Sequence, residues 1–236
     1  MRYVGGKYRA SKKITEVILA NTPWRDRYLE PFVGGAAVAE KLAPHFADPV
    51  VCDFNENVTV LWEAVLHHGW LPEPEHVTEN MYREAMNDPE VSPWRSFVLF
   101  GASFGGKWRG GYGRDNNSDR SMSCETARSL RRAREALQGR ATVAPAAPYW
   151  EHNPGHGTVV YCDPPYAGTT GYATGDFDHD RFWATMDEWV RAGAHVFVSE
   201  KTGPSHWDVV WEKETTIALN KGSGAWSDRL FHRKEV

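Results

Sequence analysis

The run Val159-Val160-Tyr161-Cys162-Asp163-Pro164-Pro165-Tyr166 drives a strongly β-forming segment into an acid, two prolines and a tyrosine. Prolines cannot donate to a sheet ladder and hold the residues before them extended. The strand must therefore end at Asp163, with its carboxylate and the following carbonyls turned outward. A planar base bearing an exocyclic amine needs acceptors for two N–H donors and a flat surface to lie on. The Asp163 carboxylate and the Pro164 carbonyl supply the acceptors, Tyr166 supplies the ring, and the rigidity of Pro164-Pro165 keeps them aimed. Such acceptors also favour pyramidalisation of an amine whose lone pair is otherwise delocalised into its ring. Aligning that nitrogen with an activated carbon leaves mainly an in-line displacement. The plainer reading of the same residues is a strand-terminating turn with a capping aspartate.

A second strand end carries a different device. Glu30-Pro31-Phe32-Val33-Gly34-Gly35-Ala36-Ala37-Val38 is a strand followed by a tight glycine turn and a helix start, and Gly34-Gly35 lets a ligand approach the backbone closely. Asp53 follows nineteen residues beyond Gly34, at the end of the next strand. That is the usual place of a carboxylate accepting from ribose hydroxyls, so the pair points to an adenosine-containing cofactor. The turn lacks the full G-x-G-x-x-G of dinucleotide binders, which weighs against a pyrophosphate on the helix N-terminus. A glycine turn with a strand-end aspartate is also compatible with a purely structural role.

The elements that position these residues follow from pattern. R-Y-L-E-P, V-V-C-D, V-V-Y-C-D-P and H-V-F-V-S-E each climb through β-formers and finish on an acid. Continuous apolar runs of this length suit strands buried on both faces, as in a parallel sheet. Helical patterns lie between them. Ser11 caps one with Ile14, Val17 and Ile18; Asn55 caps another with Val58, Leu61, Trp62, Val65 and Leu66, stopped by Gly69; a third runs from about Asp180 to Gly193. Alternating strand and helix predict an open α/β sheet with crossovers, whose ligands bind beyond the carboxyl ends of the strands. Residues 70–149 break the rhythm with Pro- and Gly-rich stretches and are expected to form an inserted region. The catalytic domain is then 1–69 and 150–236, with antiparallel strands among those that close it.

At 236 residues, with 41% apolar and 13% aromatic content, the chain suits one α/β domain plus a small insertion. It shows no apolar run long enough to span a membrane and no secretion-signal pattern at its start, so the expected location is the cytoplasm and no membrane partner is expected. Cys52, Cys124 and Cys162 have no CxxC spacing, and the adjacent His67 and His68 do not share a helix face, so no metal is expected. The net charge of −4 is unevenly divided. Residues 1–13 carry five basic side chains and no acid, residues 101–140 nine against four acids, and residues 51–90 nine acids against Arg83 alone. Such a chain has one face able to follow phosphates and another that repels them, although solvated helix faces would give the same count.

Taken in order, these motifs resemble the Dam-like (D12 class) DNA adenine-N6 methyltransferases. Arg2-Tyr3-Val4-Gly5-Gly6-Lys7-Tyr8 is similar to that family's N-terminal cofactor segment, E-P-F-V-G-G-A-A-V to its glycine turn, Asp53-Phe54-Asn55 to its ribose-binding acid, and D-P-P-Y to its catalytic tetrad. The resemblance implies a Rossmann-like S-adenosylmethionine-dependent methyltransferase sheet with an inserted, mainly helical target-recognition region. S-adenosyl-L-methionine is the implied cofactor and double-stranded DNA the partner. Tyr3, Lys7, Phe32, Gly34, Gly35, Asp53 and Asp163 are implied to contact the cofactor, and Asp163, Pro164, Pro165 and Tyr166 to hold the target adenine. Two departures stand out. Ala36 replaces a second motif glycine of many members, a change its small size should make tolerable. The stretch S-F-G-G-K-W-R-G-G-Y-G-R-D at 103–115 replaces the asparagine-containing recognition stretch of GATC-specific members, so the target sequence does not transfer. In that stretch Lys107, Arg109 and Arg114 alternate with glycines and with Trp108 and Tyr112. The pattern suits close approach to phosphates plus a ring that fills or buttresses the gap left by an extruded base; a flexible surface loop is the alternative. Cytosine N4 or an RNA adenine as acceptor, and a non-catalytic DNA-binding module, stay open as rival functions.

Overall fold

The computed structural model describes residues 1–114, 121–166, 177–216 and 225–233. Seven strands form one sheet: β1 Arg27–Glu30, β2 Asp48–Val51, β3 Thr142–Val143, β4 Thr158–Cys162, β5 His195–Glu200, β6 Asp208–Thr216 and β7 Ala225–Arg233, in the order β3-β2-β1-β4-β5-β7-β6. β1 through β5 pair in parallel and β7 runs antiparallel between β5 and β6. The four acid-ended segments of the sequence are β1, β2, β4 and β5, and the antiparallel closing strands are β6 and β7. Strand order reverses between β1 and β4, which makes their carboxyl ends the topological switch point where ligands bind in such sheets. The architecture is α/β, with a Rossmann-like parallel core and an antiparallel edge.

Strand periodicity divides the core into two layers. Tyr28, Val159, Tyr161, Phe197 and Leu230 face α1 Ser11–Asn21, α2 Ala39–Leu42, α3 Glu56–Leu66, α5 Pro93–Gly101 and α6 Met122–Leu137. Leu29, Val160, Cys162, Val196, Val198 and Phe231 face α7 His179–Arg191. β4 is buried at every position, which is why it reads as an unbroken apolar run. At about 25 cal/mol per Å², each fully buried Val or Leu side chain contributes about 2 kcal/mol to folding, so the central strands anchor the site they carry.

The helix starts show how local chemistry is used. Asn55 caps α3 by accepting from the Asn57 amide, as its sequence position predicts. Ser11 differs from expectation: it is the first residue of α1, Ala10 is the cap, and the Ser11 hydroxyl donates to the Tyr8 carbonyl instead of accepting from the helix. Asp178 caps α7, and Gly193 follows its end at φ +88°. Between 70 and 149 lie α4 Glu79–Asn87, α5 and α6, together with the two residues of β3, which form the edge of the sheet beside β2. Ala36, in place of a glycine, adopts φ +57°, a left-handed conformation that disfavours any side chain. Among the described residues no helix is long and apolar enough to cross a membrane.

Candidate active site

Three carboxylates gather at the carboxyl ends of β1, β2 and β4. Glu30 is buried and accepts a 2.5 Å hydrogen bond from the Tyr28 hydroxyl, two residues back on the same strand face. Burial raises its pKa well above the usual range, with Asp163 and Asp53 adding repulsion. Asp53, also buried, uses both oxygens on backbone: Oδ2 accepts from the Gly34 amide at 3.0 Å and Oδ1 from the Asn55 amide at 2.9 Å. Burial pushes its carboxyl up to about 6 against the pull of those two amides. Asp53 thus staples the glycine turn after β1 to the end of β2, which is the structural task its sequence position left open beside a ligand role.

The glycines of that turn are required by the N-terminal segment of the same protein, the Tyr3 ring at Gly34 and, at Gly35, first the Met1 carbonyl, 2.5 Å from where a Cβ would lie. Gly34 has φ +43°, and a Cβ there would lie 2.9 Å from the Tyr3 ring; at Gly35 a Cβ would lie 3.0 Å from Tyr3 Cβ. Tyr3 lies across the turn and packs on Phe100, ring centroids 5.4 Å apart. The Gly34 carbonyl accepts from the Trp62 indole at 2.9 Å. Phe32 turns to the other side of the sheet and joins Tyr149, Phe177 and Phe182 in an aromatic cluster.

Asp163 stands at the end of β4, its side chain one-fifth exposed, with Pro164 buried and Pro165 partly buried behind it. Lys7, which precedes α1, is buried and places Nζ 3.0 Å from Asp163 Oδ1 and 3.8 Å from Asp228 Oδ1. The same ammonium lies 4.2 Å from the centroid of the Tyr166 ring. Tyr166 in turn donates its hydroxyl to Asp228 Oδ1 at 2.6 Å. Burial raises the Asp163 carboxyl to about 6; the Lys7 ammonium pulls it down and Asp228 pushes it up. Burial, then Asp163 and Asp228, drive the Tyr166 phenol well above its ordinary value, so it stays a proton donor. The family resemblance implied a cofactor contact for Lys7 and an adenine-holding role for Asp163, Pro164, Pro165 and Tyr166; the structure places Lys7 against Asp163 and the Tyr166 ring. Asp228 on β7 escaped it; an acid in phase with the buried Leu230 and His232 was the available signal. One strand further along, at the end of β5, a hollow of about 260 Å³ opens between Glu200, Trp183, His179 and Asp180.

The glycine-rich stretch packs beside this site. Gly106 accepts from the Val4 amide through its carbonyl, and its φ of +67° lets the backbone of Arg2 and Tyr3 approach so closely that a Cβ would lie 2.9 Å from Tyr3 N. Ser103 bridges to Tyr112, closing the loop. Lys107, Arg109 and Arg114 are exposed, whereas the two rings turn inward. Trp108 packs on Phe100 at 4.7 Å beneath the Arg95 guanidinium, and Tyr112 packs on Tyr82 and donates to the Val77 carbonyl. The exposed ring is that of Phe104, at 72%. Arg109 has φ +53° and donates to the Met86 carbonyl, while Arg114 pairs with Glu79 at 3.1 Å. Asp115 lies outside the described residues. On α6, Arg131 and Arg132 pair with Glu75 and Glu40, and Arg134 bonds Gln138. Among the described residues no group of three or more His, Cys, Asp or Glu side chains is placed to hold a metal ion.

Solved structures with a similar course of chain include "Putative methyltransferase yhhF" from Escherichia coli, at 13% identity and a TM-score of 0.43 over 97% of this chain and 88% of that one. Two others are the magnesium protoporphyrin IX methyltransferase ChlM from Synechocystis PCC 6803 with bound SAM, at 8% identity and 0.46 over 98% and 81%, and the N-methyltransferase NodS from Bradyrhizobium japonicum WM9, at 11% and 0.43 over 97% and 97%. No curated protein matches the sequence. Residues 3–93, which hold the Tyr3–Lys7 segment, the glycine turn and Asp53 but end before D-P-P-Y, match the sequence model of the D12 class N6 adenine-specific DNA methyltransferases.

Proposed function

We propose that the protein is an S-adenosylmethionine-dependent DNA methyltransferase that modifies adenine N6 after extruding the base from the duplex. The observation that carries this reading is the junction of Lys7, from the matched segment, with Asp163 and Tyr166 of D-P-P-Y at the open end of β4, 3.0 Å and 4.2 Å away. Residues from the two ends of the resemblance meet at the switch point of the sheet. The acceptor set is compatible with the cofactor: its ammonium and ribose hydroxyls need acceptors and its sulfonium a nearby negative charge, and Asp163 and Asp53 stand at neighbouring strand ends, Asp53 with one lone pair of each oxygen already engaged by the Gly34 and Asn55 amides. When bound, the cofactor supplies an activated methyl carbon.

The chain's own residues do the rest. At pH 7 Asp163, with its pKa near 6, is mostly ionised and accepts an N6 hydrogen, while the Pro164 carbonyl accepts the other. Tyr166 offers a ring face to the base. Lys7 offsets the negative charge of the site, and Lys201 places a second ammonium 5.9 Å from the centroid of the Tyr166 ring. The proton of the alkylated amine leaves after transfer, so no dedicated base is needed. Exposed Lys107 and Arg109 follow phosphates, and Phe104 is the exposed ring of the same loop, able to meet the DNA stack. Incubation with methyl-labelled S-adenosylmethionine and duplex DNA, followed by digestion to nucleosides, should place the label in N6-methyldeoxyadenosine. Label in N4-methyldeoxycytidine, label only when RNA is offered, or cofactor binding without transfer would each replace this reading with the corresponding rival.

A further inference from the structure

We propose that Asp228 is a positioning residue of this site, fixing the orientation of Tyr166 and retaining Lys7 while Asp163 engages the substrate amine; the proposal rests on the methyltransferase reading. A carboxylate on an interior strand is expensive to bury unless it is paired. Asp228 is 8% exposed and lies on β7, opposite Lys213 of β6, with its flanking residue Arg229 turned to Glu212 and the Lys201 carbonyl. Among the described residues its recorded donors are the Tyr166 hydroxyl at 2.6 Å and the Lys7 ammonium at 3.8 Å, both on the same oxygen. Neither donor is a neighbour in sequence, and both belong to the proposed site. The fold would be served as well by an apolar residue in phase with Leu230.

The geometry gives the carboxylate two tasks. A phenol tethered at its hydroxyl cannot swing about the Cα–Cβ axis, so the face of the Tyr166 ring is held ready for a base instead of being ordered after the base arrives. Lys7, equally, bridges two carboxylates. When an amine takes up the lone pairs of Asp163, Asp228 keeps the ammonium in the site without requiring it to leave the protein interior. Asp228 itself need touch neither base nor cofactor.

The full-length chain carrying Asp228→Ala, Asp228→Asn, Tyr166→Phe and the Asp228→Ala/Tyr166→Phe pair tests this. Loss of one charge-assisted hydrogen bond predicts that Asp228→Ala lowers kcat roughly 10- to 100-fold with KM for DNA little changed. Asp228→Asn, which keeps an acceptor, should recover part of that loss, and the double variant should be no slower than the slower single one. Multiplied losses in the double variant, an unchanged kcat in Asp228→Ala, or a defect confined to KM would overturn the proposal. If Asp228→Ala unfolds, Asp228→Asn carries the test and must lower kcat at unchanged Tm. An arm independent of activity uses tyrosine labelled with 13C at Cζ: the Tyr166 resonance, assigned by its absence in Tyr166→Phe, should move in Asp228→Asn. A resonance that stays put refutes the tether. A wild-type chain that transfers no methyl group to DNA adenine refutes the methyltransferase reading and leaves this resonance to judge the tether.

Discussion

Replacing Lys7 with methionine keeps most of the side chain's volume and removes the charge 3.0 Å from Asp163. At an effective dielectric of about 20, a pair at that distance is worth about 5 kcal/mol, and the one-fifth exposure of Asp163 reduces this to about 2–3 kcal/mol. One pKa unit is about 1.4 kcal/mol, so Asp163 should rise by about 1.5–2 units from its present value of about 6. Amine acceptance needs the ionised carboxylate, and the rate therefore falls as pH drops through that pKa. The pH profile of kcat/KM, measured at subsaturating DNA so that it reports the unliganded protein, should show an acid limb near 6 in the wild type and near 8 in Lys7→Met. At pH 7 the variant would be about tenfold slower, and raising the pH to 9 would restore most of the loss. A deficit of equal size at every pH, or an acid limb that stays at 6, would show that Lys7 does not set the charge state of Asp163.

Asp163→Ala should abolish turnover yet leave DNA affinity largely intact in a filter-binding or anisotropy titration; retained methylation removes Asp163 from its role. Asp53→Asn puts an amide donor against the Gly34 or Asn55 N–H, and chemical denaturation at pH 7 should show a loss of about 2 kcal/mol even without cofactor. Burial raises Asp53 from 3.8 to about 6, so its contribution is most favourable below the unfolded value and is lost as pH rises through the folded one. The deficit of Asp53→Asn should therefore widen, not shrink, between pH 7 and pH 4. Lys107→Ala with Arg109→Ala should weaken DNA binding without sequence preference, each lost phosphate contact flattening the slope of log K against log salt by about 0.9. An unchanged slope would place the glycine-rich loop away from the backbone of DNA.

The central sheet was legible because β4 is buried on both faces and β1 and β5 nearly so, which forces unbroken apolar runs, and because each run stops on an acid. The glycine turn and D-P-P-Y were legible for the same reason: backbone constraints at a strand end leave few residue choices. Side-chain partnership was not. Periodicity could say that Asp53 ends a strand but not that its two oxygens are occupied by the Gly34 and Asn55 amides. It could count Trp108 and Tyr112 as available rings, whereas Phe100 and Tyr82 draw them inward and leave Phe104 outside. β3, at two residues, is too short to leave a pattern, so 142–143 were assigned to the inserted region. Ala36 illustrates a limit of size arguments: a methyl group fits the space, and the strain lies in φ, which sequence does not display. Asp228 is the largest omission: its phase with Leu230 and His232 could mark a buried acid, but not that β7 returns antiparallel beside β5 and so brings that acid to Tyr166 and Lys7.

A structure of the protein with a duplex oligonucleotide and a non-transferring cofactor analogue tests the central claim most directly. The account predicts an adenine outside the helix, its exocyclic nitrogen within hydrogen-bond reach of the Asp163 carboxylate and the Pro164 carbonyl, with the Tyr166 ring against its face. An extruded base whose amine lies away from Asp163, or an adenine still stacked in the duplex, would contradict it.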